Sequence, residues 1–159
     1  MKKIILLFTI LFIGLNIFAT EATDTDWYVD IDGGTYFTPV GSKPYFNVEA
    51  IYEEGIFRFG GEADIKIKDW GIEEAGIFGK IGIFGKLANI YGEIGVGIGF
   101  VSNINSTDLK YKPEAKLLID MGDYIIQAKI GILIKDNFDK DSAYISIGVQ
   151  KRFFKELKD

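Results

Sequence analysis

The 159-residue chain contains no cysteine and no histidine, and only 3 prolines. Without histidine the commonest general base and a frequent metal ligand are missing. Without cysteine there is no thiol nucleophile, no disulfide, no Cys₄ zinc site and no acylated lipoprotein cysteine. Basic charge is also in short supply: 18 Lys and Arg stand against 23 Asp and Glu, which argues against an electrostatic nucleic-acid surface. What the chain has in quantity is apolar residues (48%), charged residues (26%) and 19 glycines, in a length that allows one domain. Bulk composition does not say how so much charge and so much hydrophobicity share one small fold.

The first residues are organised for export. Lys2 and Lys3 precede an apolar run from Ile4 to Phe18, followed by small residues at Ala19 and Ala22 within a polar, acidic stretch. A basic head, an apolar segment of about 15 residues and a small-residue exit form a secretory signal peptide, too short for the roughly 20 residues of a membrane-spanning helix. Residues 1–19 are therefore expected to be a signal peptide, with cleavage after Ala22 as the alternative, and residues 20–159 the mature domain. Cleavage after Ala19 removes two lysines and no acid, which moves the formal charge from −5 to −7. No later segment reaches 18 consecutive apolar residues.

The rest of the chain alternates with period two. From Phe57 to Lys68 the odd positions read Phe57, Phe59, Gly61, Ala63, Ile65, Ile67, and the even ones Arg58, Gly60, Glu62, Asp64, Lys66, Lys68. Charges on one face and large apolar residues on the other, at this period, define a strand and exclude a helix. The same reading places further strands near Trp27–Phe37, Tyr45–Glu53, Glu74–Phe84, Leu87–Val101, Leu109–Asp120, Tyr124–Lys135 and Tyr144–Phe154. The segment Ile77-Phe78-Gly79-Lys80 recurs as Ile83-Phe84-Gly85-Lys86, and Gly85-Lys86 is the expected turn between the fourth and fifth strands. Eight strands and no helical pattern give an all-β, antiparallel, up-and-down chain. The connections are expected to alternate between short turns, such as Glu54-Gly55, and longer ones of about five to seven residues, such as Ser102–Asp108. Short turns at one end and longer loops at the other characterise outer-membrane barrels.

With its export signal, eight alternating strands and closing strand Tyr144-Ile145-Ser146-Ile147-Gly148-Val149-Gln150-Lys151-Arg152-Phe153, the chain resembles the small eight-stranded outer-membrane β-barrels of the OmpX and OmpA-transmembrane-domain type. The resemblance covers residues 24–154. It implies a transmembrane β-barrel in the outer membrane, with the lipid bilayer and the barrel-assembly machinery as partners. It also implies that Phe153 or Phe154 acts as the C-terminal assembly signal, although Lys155–Asp159 follow where that family ends.

Alternation alone leaves open a soluble, lipocalin-like barrel with its apolar face inside. Three features point the apolar face outward instead. That face is free of charge through the middle of each strand. Nine glycines (Gly34, Gly60, Gly76, Gly82, Gly95, Gly97, Gly99, Gly131 and Gly148) share the polar face, where a narrow lumen needs small residues and an exposed sheet is only weakened by them. The polar face is also nearly balanced, with acids Asp30, Asp32, Glu49, Glu62, Asp64, Glu93 and Glu114 and bases Arg58, Lys66, Lys80, Lys116, Lys129 and Arg152. These are expected to form an ion-pair network in the lumen. Trp27, Tyr28, Tyr36, Phe37, Tyr45, Trp70, Phe100, Tyr111, Tyr124, Tyr144 and Phe153 lie near strand ends, as interfacial girdles require.

No catalytic motif emerges. Gly79 to Lys86 has the wrong spacing for a phosphate loop and Leu87 replaces its Ser or Thr; Gly95-Val96-Gly97-Ile98-Gly99 lacks the dinucleotide spacing and context. Asp30 with Asp32, and Glu62 with Asp64, lie within glycosidase spacing, but a lumen network places them equally well. Calcium binding by the loop acids Asp136, Asp139 and Asp141 is a slightly better suggestion than carboxylate catalysis. Membrane-barrel enzymes that remodel lipid A resemble this architecture but use a histidine, which is absent here. The sequence therefore points to a non-catalytic outer-membrane barrel without cofactor or metal, in a structural or surface-interaction role toward an unidentified surface partner. A narrow pore or small-ligand carrier, and a soluble periplasmic binding barrel, are the alternatives.

Overall fold

The computed structural model describes residues 25–69, 71–135 and 140–155, with side chains described for residues 26–69, 71–135 and 142–152. The expected signal peptide, Trp70, the acidic group Asp136, Asp139 and Asp141, and the side chains of Phe153 and Phe154 lie outside that description. Eight strands follow one another: β1 (Thr25–Thr38), β2 (Gly41–Glu54), β3 (Phe57–Lys68), β4 (Gly71–Leu87), β5 (Ile90–Asn103), β6 (Thr107–Asp120), β7 (Tyr124–Lys135) and β8 (Lys140–Lys155). Each pairs antiparallel with its sequence neighbours, and β8 returns to β1, so the sheet closes into a barrel without an edge. There is no helix among the described residues.

The period-two pattern sets the faces. Along β3 the even residues from Arg58 to Lys66 point into the lumen and the odd residues from Phe57 to Ile65 point out. The same assignment holds around the barrel, so every expected lumen glycine sits on the inner side. At several of them, including Gly34, Gly99 and Gly148, the wall tolerates nothing larger. A Cβ on Gly99 would stand 2.0 Å from the Ile77 carbonyl oxygen, and one on Gly148 would stand 2.3 Å from Asp32 Cβ. Gly148 faces Asp32 across the closing β1–β8 seam, where close strand approach completes the barrel.

Two expectations about connections are corrected. The β4–β5 turn is Ala88-Asn89, with Ala88 at φ 56°, and not Gly85-Lys86. Strand β4 continues because Phe84 is buried in the lumen, and Phe84 to Leu87 extend the ladder against Glu93 to Ile90. Among the described connections the length asymmetry is also absent. The β1–β2 connection is only Pro39-Val40, the β5–β6 connection only Ile104 to Ser106, and the β2–β3 connection on the other side Gly55-Ile56. Polar residues such as Ser42 and Lys43, which read as loop, pair through their backbones with Phe37 and Tyr36. Hydropathy reports side chains, whereas the ladder ends where backbone pairing ends.

The barrel thus has an upper mouth, carrying the β1–β2, β3–β4 and β5–β6 connections, and a lower mouth where β1 starts and β8 finishes.

Candidate functional site: a charged lumen between two apolar layers

The inward residues divide into three layers. Toward the lower mouth Tyr28, Ile51, Phe84, Tyr91, Leu118 and Ile125 form one apolar cluster. Toward the upper mouth Tyr36, Tyr45, Phe78, Val101, Leu133 and Tyr144 form another, in which the Tyr36 ring lies 4.5 Å from Tyr45 and 5.1 Å from Tyr144. Tyr28, Tyr36, Tyr45 and Tyr144 are therefore internal rather than girdle residues, correcting the expectation for those four. Tyr28 and Tyr36 share the parity of Asp30 and Asp32 on β1, Tyr45 that of Asn47 and Glu49 on β2, and Tyr144 that of Ser146 on β8. Outward aromatics do occur at Trp27, Phe37, Phe100 and Tyr124, joined by Phe46, Phe57 and Phe59.

The charged layer lies between these clusters. Lys129 on β7 reaches across to β1 and β2, with its Nζ 2.7 Å from Asp32, 3.8 Å from Asp30, 3.5 Å from Glu49 and 3.5 Å from Glu62. Lys80 on β4 contacts Glu62 at 2.6 Å and Glu49 at 3.0 Å, and also pairs with Glu114. Lys116 on β6 lies 3.0 Å from Glu49, 3.2 Å from Glu93 and 3.4 Å from Glu114. Arg58 donates toward Glu53 at 2.7 Å and Glu93 at 2.9 Å. The carboxylates of Asp30, Asp32, Glu49, Glu62, Asp64, Glu93 and Glu114 are all buried, as are Arg58, Lys66, Lys80, Lys116 and Lys129.

Two of the expected members stand apart. Lys66 pairs at 2.7 Å with Glu74 near the upper mouth, and Arg152 is half-buried at the lower mouth, 3.2 Å from Asp26 and 3.7 Å from Asp120. Conversely, the structure adds groups that the sequence reading left out. Lys112, fully buried, pairs with Glu62 and with Asp64 at 2.6 Å. Tyr36 donates its hydroxyl to Asp64 at 2.8 Å and Tyr144 donates to Glu114 at 2.6 Å, while the Gln127 amide donates to Asp30 at 2.5 Å. Lys112 shares the parity of Glu114 and Lys116, so alternation carried down β6 would have found it.

The cations also join the layers. The Arg58 guanidinium lies 5.1 Å from the Tyr28 ring centre and 4.9 Å from that of Phe84, and the Lys112 ammonium lies 4.8 Å from Tyr144 and 5.2 Å from Phe78. Each apolar cluster is thus stacked on a charge of the central layer, an arrangement favoured where water is excluded.

Glu49, Glu62 and Glu114 place carboxylate oxygens within 4.8 Å of one another, a spacing that could hold a metal ion. The Lys80 ammonium, however, contacts all three. It fills the position a cation would take, donating a hydrogen bond to Glu62 and pairing by charge with Glu49 and Glu114. The paired carboxylates therefore act as partners of lysine, and the arrangement offers no open coordination position and no free acid–base pair at this level.

Comparison with solved structures places this geometry among known barrels. The chain is similar to the crystal structure of Neisserial surface protein A (NspA). The superposition has a TM-score of 0.57 at 12% sequence identity and covers 81% of this chain and 97% of that one. At that identity the likeness establishes the eight-stranded barrel fold. No family profile and no curated protein sequence matches the chain.

Proposed function

We propose that the chain is an integral outer-membrane β-barrel with a structural or surface-interaction role and a closed, non-catalytic lumen. The observation that carries this reading is polarity turned inside out. Ile77 (73% exposed), Ile147 (68%) and Phe100 (61%) face outward while Lys112 and Lys129 are fully buried. A soluble barrel reverses this order, and monomeric soluble proteins rarely expose a contiguous apolar patch beyond about 300–600 Å². The outward residues of β5 are uncharged from Ile90 to Phe100. Ten rises of about 3.3 Å, tilted by about 40°, give roughly 25 Å, the height of the apolar band of outer-membrane barrels.

The NspA likeness supports the same reading at the level of fold. Closure of the lumen rests on the two apolar clusters and the paired charges between them, which together leave a narrow-pore reading without support. In this proposal residues 1–19 direct export, and the barrel-assembly machinery receives the closing strand with Phe153 or Phe154 as its signal.

Three measurements test the proposal. Envelope membranes carrying the chain are washed with alkaline carbonate, and unboiled samples are compared with boiled ones on a gel. The chain is expected to stay in the membrane and to migrate differently after boiling. Release by carbonate would refute membrane integration. Planar-bilayer recording is expected to be silent, and discrete conductance steps would refute the closed lumen.

A further inference from the structure

The ion pairs of the lumen leave a surplus of acid. Five bases, Arg58, Lys80, Lys112, Lys116 and Lys129, answer the seven carboxylates of the central layer and that of Glu53. The shortage is concentrated on β1. Among the described residues the one cation within ion-pair distance of Asp30 and Asp32 is Lys129, and Glu49 and Glu62 share it. Lys129 meets Oδ2 of both aspartates, and the Gln127 amide donates to the same two Oδ2 atoms at 2.5 and 3.3 Å, which draws the two carboxylates to one point. Oδ1 of each aspartate is buried with no hydrogen-bond partner among the described residues. A carboxylate taken out of water with lone pairs unanswered keeps a large desolvation cost.

A third oxygen on this wall belongs to a neutral side chain. Gln150 on β8 is fully buried and stands opposite Asp30 in the closing ladder. Its Nε2 donates to Gln127 on β7 at 2.8 Å, which turns that arm of the planar amide away from β1 and leaves Oε1, on the other arm, toward Asp30. Oε1 also lacks a partner among the described residues. An amide carbonyl and two ionised carboxylates only accept, so none of these oxygens can satisfy another. Lys80 fills the space among Glu49, Glu62 and Glu114, but no described side chain presents a donor to these three atoms. Carboxylate and amide oxygens are the hard ligands of calcium, which accepts irregular geometry. Magnesium demands an octahedron and keeps its waters, which suits a wall closed in by side chains less well.

We propose that the wall formed by β8 and β1 binds one calcium ion between Asp30, Asp32 and Gln150. The site requires barrel closure, because Gln150 meets β1 only across the β1–β8 ladder, and it does not depend on where the barrel resides.

The test refolds the full chain into zwitterionic detergent with calcium chloride or with a chelator at matched ionic strength, because the two apolar clusters close the lumen once the barrel has formed. Folded chains are desalted and their metal is measured by atomic emission. One calcium per folded chain is expected, together with a higher urea midpoint than in chelator. Asp30→Asn and Gln150→Leu, each checked for the unboiled gel shift, are expected to lose loading by about tenfold or more. Glu54→Gln removes the same charge as Asp30→Asn from an exposed position and is expected to keep it. A parent chain that folds in calcium yet carries no metal would overturn the proposal, whether or not the variants fold. In that case a protonated-carboxyl infrared band that disappears in Asp30→Asn would assign the surplus charge to a proton instead. Equal loading in folded Asp30→Asn or folded Gln150→Leu would overturn it as well.

Discussion

Ile130→Lys separates a membrane barrel from a soluble one by magnitude. Ile130 lies midway along β7, 57% exposed on the outer face, between Ala115 on β6 and Ile145 on β8. In water such a surface replacement changes stability by about 0.5 kcal/mol or less. At the midplane of a bilayer the same lysine costs about 2–4 kcal/mol, because its ammonium must be desolvated or must draw the bilayer toward it. The cost also has a depth profile. Ile126 is four residues nearer the lower mouth, about 10 Å along the barrel axis at the usual strand tilt, where a lysine costs closer to 1 kcal/mol. Urea titration of the folding equilibrium in phosphatidylcholine vesicles measures both. The expected order is Ile130→Lys well above Ile126→Lys. The adjacent inward substitution, Lys129→Met, acts by another route. It leaves Asp32, Glu49 and Glu62 short of a partner and is expected to cost about 3–5 kcal/mol in detergent as well as in vesicles. If Ile130→Lys falls within about 0.5 kcal/mol of the parent in vesicles, the outward face is not in hydrocarbon and the membrane proposal fails.

Three further outcomes follow from the lumen. Arg58→Met strands Glu53 and Glu93 and should destabilise by about 3–5 kcal/mol, with Arg58→Lys recovering part of it, as read from the same urea titrations. Gly148→Val is expected to abolish the compact unboiled gel band, because its Cβ would meet Asp32 Cβ at 2.3 Å on the closing seam. Outward Gly79→Ala, with nothing within 4 Å, should leave the band unchanged. Phe78→Ala with Phe84→Ala thins both apolar clusters and should produce ion conductance where the parent chain is silent; an equally silent, folded double variant would show that the ionic layer alone closes the lumen.

The fold was legible because one rule, side-chain parity, is local and unambiguous. Arg58 to Lys66 and Ile126 to Ile134 show it without interruption, and β3 and β7 begin and end where alternation begins and ends. Where the rule was set aside, the reading slipped. The girdle expectation for Tyr28, Tyr36, Tyr45 and Tyr144 rests on residue type, although they alternate in step with Asp30 and Asp32 on β1, Glu49 on β2 and Gln150 on β8. Lys112, in step with Glu114 and Lys116, belongs to the same face although the expected lumen set omits it. What parity cannot carry is the third dimension. It places Asp32 and Lys129 on one face, but their 2.7 Å contact joins strands separated by most of the sequence and depends on closure of β8 onto β1. Nor can it find the ends of strands, since Ser42 and Lys43 pair through backbone groups common to all residues.

Closure also explains why this lumen is ionic at all. In a soluble barrel the interior is filled because apolar side chains leave water. A barrel bathed in hydrocarbon has no such incentive, since an outward isoleucine is as well placed as an inward one. On the proposed membrane placement, orientation must come from groups that hydrocarbon rejects. Every inward charge on β3, for example, fixes which face of that strand can meet lipid, and a one-residue slip would turn Arg58, Glu62, Asp64 and Lys66 outward together. The pairs then set which strands face one another across the lumen: Lys116 with Glu49 ties β6 to β2, and Lys129 with Asp32 ties β7 to β1. Each tie requires the closed form, because in an open sheet these carboxylates and ammonium groups would be left unpaired against lipid. If the outer face meets lipid as proposed, the abundant charges supply the directional interactions that favour the closed barrel.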